Sequence, residues 1–228
     1  MSKQFQEVFI MKKLTVFFCV LAGLFLFTLA GCANDDTFTK KSYASGGEIQ
    51  KITIEVEDRE LEIVVSKDDE IRIEYFDGEK EYLEIVPENG QLTVRLVYNK
   101  NWTDYIGSKP SAEYRKIKIS VPNDTVAAFS AKTTNENIRL AALSFTESVS
   151  LDSNGGSIVC ERVNVGKSID LTAKNGDITG SVLGGMDDFS ISCTYKKGDC
   201  NLPESKPGGT KSFTANCNNG NIDIEFVK

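Results

Sequence analysis

Histidine is absent from all 228 residues. Its absence excludes a Ser-His-Asp triad, a Cys-His dyad and any histidine metal site, which removes most hydrolase mechanisms and leaves carboxylate chemistry. Positive charge is also short, with 26 basic side chains against 33 acidic ones. Residues 1–31 hold three lysines and one glutamate, so the remainder carries 23 basic and 32 acidic side chains, a charge of −9. Such a surface repels nucleic-acid phosphates, and no nucleic-acid partner is expected. The cysteines form no C-x-x-C pair, so a zinc site has little support. Helical periodicity is missing from Ile49 onward. The length allows one domain or two small ones.

Only one long apolar run is present, Leu14 to Ala30, which follows Lys12 and Lys13 and holds no charge. At 17 residues it lies at the short edge for a membrane span. A basic start, an apolar stretch and small residues before a cut describe a secretory signal. Leu29, Ala30 and Gly31 followed by Cys32 resemble the lipobox of bacterial lipoproteins. That resemblance implies cleavage after residue 31, a lipid on Cys32 and an exported, membrane-anchored chain. An uncleaved anchor with a chance cysteine is the alternative. Residues 32–47 are polar, end in Gly46-Gly47 and read as a flexible tether.

Residues 48–228 read as a single all-β domain. Apolar residues alternate at Ile52, Ile54 and Val56, at Leu61, Ile63 and Val65, and at Ile117, Ile119 and Val121. Asn89-Gly90 between two alternating runs predicts an antiparallel hairpin of Leu83–Val86 with Leu92–Leu96. Residues 127–228 repeat. Ile138, Ile158, Ile178, Cys200 and Ile222 are spaced by 20, 20, 22 and 22 residues, and apolar residues recur at fixed offsets from each. Units this short bury an apolar face only by stacking, which predicts a right-handed parallel β-helix or solenoid. Glycine two residues before four of the five anchors would supply positive φ at a corner. Residues 48–126 would continue the stack with shorter mixed strands. An antiparallel sandwich is the rival architecture.

The Gly-[Asp/Ser/Asn]-Ile ladder together with the Val121-Pro122 step resembles the DUF4097 family, whose members carry the label adhesin. The likeness covers about Ile49 to Phe226. It implies a β-helix-like fold on bacterial surfaces and no reaction.

Several side-chain groups could carry chemistry. Cys193 and Cys200 flank one turn and are the candidate disulfide among Cys160, Cys193, Cys200 and Cys217, with buried free thiols as the alternative. Asp177 and Asp199 stand just before successive anchors. Adjacent repeats ~4.8 Å apart would set them at a spacing suited to a retaining glycosidase pair or to calcium. Turn chemistry, with each side chain bonding nearby backbone, competes with both. Asn99 to Ala112 is the one long irregular segment, and its Trp102 and Tyr105 are candidate contacts for a glycan, protein or peptide. The last repeat ends at Phe226, which predicts an uncovered edge over Asn221–Val227 open to weak self-association.

Together these features describe a non-catalytic, lipid-anchored envelope protein used in adhesion or sensing, with no cofactor. A carbohydrate-active or calcium-binding solenoid using Asp177 and Asp199 is the second reading. Capture of cationic peptides in an envelope stress response is the third.

Overall fold

The computed structural model describes residues 37–45, 48–100 and 109–228. The predicted signal, Cys32, and Trp102 with Tyr105 lie outside the described residues. The described strands form two nine-stranded, largely parallel sheets. The first runs β1 (Thr39–Ala44), β4 (Arg72–Asp77), β7 (Lys116–Val121), β3 (Glu60–Val65), β9 (Ile138–Leu140), β12 (Ile158–Val165), β14 (Ile178–Leu183), β18 (Ile222–Val227), with β10 (Ser144–Phe145) beside β12. The second runs β16 (Ser205–Lys206), β15 (Phe189–Lys197), β17 (Lys211–Asn219), β13 (Ser168–Ala173), β11 (Ser148–Ser153), β8 (Ala128–Thr133), β2 (Lys51–Glu55), β6 (Gln91–Tyr98), β5 (Glu81–Glu88). The chain passes repeatedly from the second sheet to the first, as in β8 to β9, β11 to β12 and β13 to β14. Each return pairs in parallel with the strand one repeat earlier, Ile169 beside Val149 and Ile178 beside Ile158.

Alternation decides which side chains go in. Ile52, Ile54, Leu151, Leu171, Ile158 and Ile178 all join one buried cluster fed by both sheets. The outward positions of the second sheet carry aligned hydroxyls, Ser148 beside Ser168, Ser168 beside Ser212 and Ser212 beside Ser190. That face is therefore well solvated. Among the described residues antiparallel pairing occurs only toward the two ends of the stack: β1 with β4, β4 with β7, β5 with β6, and β15 with β16. The β5–β6 hairpin has the expected register, Leu83 opposite Leu96, and closes through Asn89 and Gly90 at φ 51° and 76°.

Three expectations are corrected. The tether does not extend to Gly47, because Thr39–Ala44 forms β1. Its strand character was hidden because it offers the core little more than Tyr43 and is held by backbone pairing and by Lys41 against Asp77 at 2.9 Å. The last repeat is not at the end of the stack. β17 lies between β13 and β15, and the anchors run Ile138, Ile158, Ile178, Ile222, then Cys200. Residues 189–206 cover that end, so the edge over Asn221–Val227 is partly closed. The Asp223 backbone pairs with Thr179 of β14, while its side chain is exposed.

The third correction concerns the glycine column. Gly198 and Gly220 adopt the expected positive φ, 108° and 157°, whereas Gly156 and Gly176 do not. They are needed because the repeats approach too closely: a Cβ on Gly156 would lie 2.1 Å from the Glu136 carbonyl oxygen, and one on Gly176 would lie 2.3 Å from that of Gly156. Gly176→Ala is expected to destabilise the fold by about 2–3 kcal/mol, since neither backbone can give way within the ladder. Gly185→Ala, whose Cβ meets nothing nearer than 3.6 Å, serves as the control and should leave the thermal midpoint nearly unchanged. Equal midpoints for the two variants would show that the corner column tolerates side chains.

Candidate functional site

The segment between β6 and β7 departs from a charged corner of the stack, and both of its described ends are clamped there. Lys100, at the start, forms an ion pair with Glu81, which also pairs with Arg59. Arg59 and Glu81 are 2% and 3% exposed. The Arg59 guanidinium also donates to the carbonyl oxygens of Glu57 and Asp58 at 3.5 and 3.2 Å. Lys100 sits over the Tyr98 ring, 4.4 Å from its centroid. The Tyr98 hydroxyl donates to Glu57 at 3.3 Å, and burial followed by the Glu57 charge pushes its pKa up.

Lys109, at the far end, donates to Asp58 at 2.7 Å. Asp58 occupies the turn between β2 and β3 at φ 52°, an uncommon conformation for a side-chain-bearing residue. Its surroundings hold it there: its amide donates to Thr134 Oγ1 at 2.9 Å, and its carboxylate accepts from Asn135 Nδ2 at 2.6 Å. Burial alone would raise the Asp58 pKa. Hydrogen bonds from Lys109, Asn135 and Thr134, with the Lys109 charge, outweigh burial and hold it below the usual value. This clamp is therefore at full strength above the ordinary carboxylate range and is lost only as pH falls through the lowered value. Arg115, the last residue of the 3-10 turn Ala112–Arg115, pairs with Glu136 and donates to the Pro110 carbonyl at 2.9 Å. Arg59, Lys100, Lys109 and Arg115 each face a carboxylate. The arrangement fixes chain positions at the root of the segment that carries Trp102 and Tyr105.

Arg59 and Glu81 were not picked out as candidate residues, yet the sequence marks them. Arg59 shares the inward parity of Leu61 and Ile63, and Glu81 that of Leu83. A charge at a core position of an alternating strand needs a buried partner.

Asp177 and Asp199 are not neighbours, because Asn221 stands between them in the stack. The column runs Asn137, Ser157, Asp177, Asn221, Asp199, and each side-chain oxygen accepts the backbone N–H of the next member. Ser157 N–H donates to Asn137 Oδ1 at 2.8 Å, and Asp177 N–H to Ser157 Oγ at 3.1 Å. Asn221 N–H donates to Asp177 Oδ1 at 2.7 Å, and Asp199 N–H to Asn221 Oδ1 at 2.9 Å. The carboxylates are thus about two repeat spacings apart, roughly 9.6 Å, and Asp177 serves the corner backbone. The glycosidase-pair and calcium geometries that required adjacency do not form. Among the described residues no group of three or more cysteines and acids is placed to hold a metal ion.

The structure does bring Cys193 and Cys200 together, with their sulfurs 3.0 Å apart. Burial, followed by the hydrogen bond to Cys200, pushes the Cys193 thiol up to about 12. Cys160 lies buried in its apolar column, where burial also raises its thiol to about 12.

Comparison with known proteins bears on the fold. The profile of the family described as Toastrack DUF4097 matches residues 49–183. A solved structure from Clostridium sporogenes, described as "a putative cell adhesion protein", matches with a TM-score of 0.60 at 10% identity, covering 82% of this chain and 100% of that one. That likeness concerns the fold alone. A Bacteroides fragilis protein described as "a putative adhesin" matches with a TM-score of 0.32 at 13% identity, covering 86% of this chain and 100% of that one. A Parabacteroides distasonis protein of the same description matches with a TM-score of 0.34 at 11% identity, covering 84% of this chain and 98% of that one. Scores that low carry no argument. No curated protein matches the chain.

Proposed function

The chain belongs to the Toastrack DUF4097 family, and from that membership we propose a non-catalytic binding module held at the bacterial surface by a lipid on Cys32. Residues 1–31 serve as the export signal, with Leu29, Ala30 and Gly31 as the cleavage motif. The body from β1 onward is a single right-handed β-solenoid that stands off the membrane. The adhesion label on the Clostridium sporogenes relative agrees with this surface role.

The observation that carries the binding role is the double clamp of Lys100 on Glu81 and Lys109 on Asp58. It anchors a segment bearing the sole tryptophan to a rigid stack, which lowers the ordering cost of any contact that segment makes. A glycan or peptide engaging Trp102 and Tyr105 would meet a fixed root instead of a free coil.

Two measurements test this reading. Cells labelled with an alkynyl fatty acid should tag the wild-type protein and leave Cys32→Ala untagged; equal tagging removes the anchor. Full-length protein in detergent, screened on glycan and peptide arrays, should bind a class of ligand that Trp102→Ala with Tyr105→Ala loses by about tenfold or more, a typical loss for an aromatic anchor. Binding unchanged by both substitutions would place the contact elsewhere.

A further inference from the structure

We propose that Cys193 and Cys200 form a disulfide, and that this bond latches residues 199–202 over the outer edge of β18.

Residues 199–202 belong to no strand, yet they close the edge that the last repeat would otherwise expose. Cys200 makes a lone parallel bridge to Ile222. The Ile222 N–H donates to the Asp199 carbonyl at 2.9 Å, and the Asn201 N–H donates to the Ile222 carbonyl at 3.1 Å. Beyond that point the Asn201 side chain takes over the role of backbone. Its Oδ1 accepts the Ile224 N–H at 3.1 Å, and its Nδ2 donates to the Ile224 carbonyl at 3.1 Å. One short segment therefore satisfies four main-chain groups of β18. It is part of a lobe that leaves β15 and returns to it, where the Cys193 N–H donates to the Glu204 carbonyl at 2.9 Å.

A segment held by so few bonds opens easily on its own. The thiols are placed to hold it. Cys193 is an inward residue of β15, Cys200 lies directly under the edge, and 3.0 Å separates their sulfurs, ~1 Å more than a disulfide bond. Cys217 is the other thiol nearby, but it is buried and donates to the Gly176 carbonyl at 3.3 Å. Cys200 is the more exposed of the pair and receives the oxidant first. Its thiolate attacks one sulfur of an incoming protein or low-molecular-weight disulfide and releases the first thiol. The Cys193 thiolate then attacks Cys200 in that mixed disulfide and releases the second. The pair loses two electrons and two protons, and the incoming disulfide gains both as two thiols. An exported chain meets such oxidants. Formation in the cell rests on the export reading, whereas oxidation of the purified protein tests the geometry alone.

Trypsin separates the two cysteines, because Lys196 and Lys197 lie between them. Full-length protein is alkylated with iodoacetamide in intact cells, extracted in detergent and digested without reductant. Peptides 175–196 and 198–211 should appear joined, lighter by two hydrogens than their sum, and should separate with a phosphine reductant. Reduction should speed amide exchange at Ile222 and Ile224 by about tenfold and leave Ile158 unchanged. Cys193→Ser and Cys200→Ser should each fix the fast state, and reduced wild type gives the same reading if either variant folds poorly. Full alkylation of both cysteines in cells, with linkage formed by oxidised glutathione in a separate, unalkylated sample of the purified protein, would overturn export and keep the latch. Failure to link even with oxidised glutathione, linkage through Cys217, or exchange indifferent to reduction would overturn the latch.

Discussion

Glu81→Ala is expected to destabilise the protein by about 3–5 kcal/mol, the usual consequence of removing one member of a buried ion pair. Arg59 and Glu81 are almost wholly enclosed, and Glu81 also holds Lys100. Without it the guanidinium keeps two carbonyl contacts but has no counter-charge, and its desolvation goes uncompensated. The double substitution Arg59→Met with Glu81→Leu should recover most of the loss, because both charges leave together. Urea unfolding of the three proteins decides the matter. A Glu81→Ala loss below about 1 kcal/mol would mean that water reaches the guanidinium. Fluorescence from Trp102, the sole tryptophan, should shift in the single variant if the Lys100 clamp has been released.

The second large effect is expected at Leu171→Asp, a loss of about 3 kcal/mol or more. Leu171 is fully buried and lies in register between Leu151 and Ala215, so a carboxylate there would have apolar neighbours along both directions of the stack. The next residue, Thr172, faces outward. Thr172→Asp should cost well under 1 kcal/mol, and what it costs comes from Asp152 directly beside it, a carboxylate already engaged by Lys132 at 3.3 Å. Thermal melts that rank the two variants in the opposite order would place the inward face on the other parity.

Strand existence and parity were legible because alternation is a local signal: Leu171 and Ile169 point inward whatever pairs beside them. The order of the repeats was not. Every repeat presents the same apolar columns to its neighbours, so an interface between β13 and β15 reads as well as one between β13 and β17. What diverts the chain is the lobe after Lys197, together with Gly208 and Gly209 at φ 99° and 84°. Asp177 and Asp199 were recognised as one column, and their separation failed for the same reason, since Asn221 enters between them. β1 escapes the pattern because backbone pairing and two ion pairs, Lys40 with Glu74 and Lys41 with Asp77, hold it, and neither leaves a hydrophobic signal. The charged corner was within reach of parity alone.

The position of β17 has a consequence for how the molecule comes apart. In a stack laid down in chain order, the last-made unit peels away first and the rest survives, so loss proceeds by steps. Here β17 is flanked on both sides, by β13 and by β15. Nothing made earlier can complete residues 189–206, because their partner strand emerges from the ribosome after them. Peeling the C-terminal strands undocks a neighbour that precedes them in sequence. The distal third therefore assembles and dissolves as one event, and a truncation that removes only β17 and β18 forfeits β15 as well.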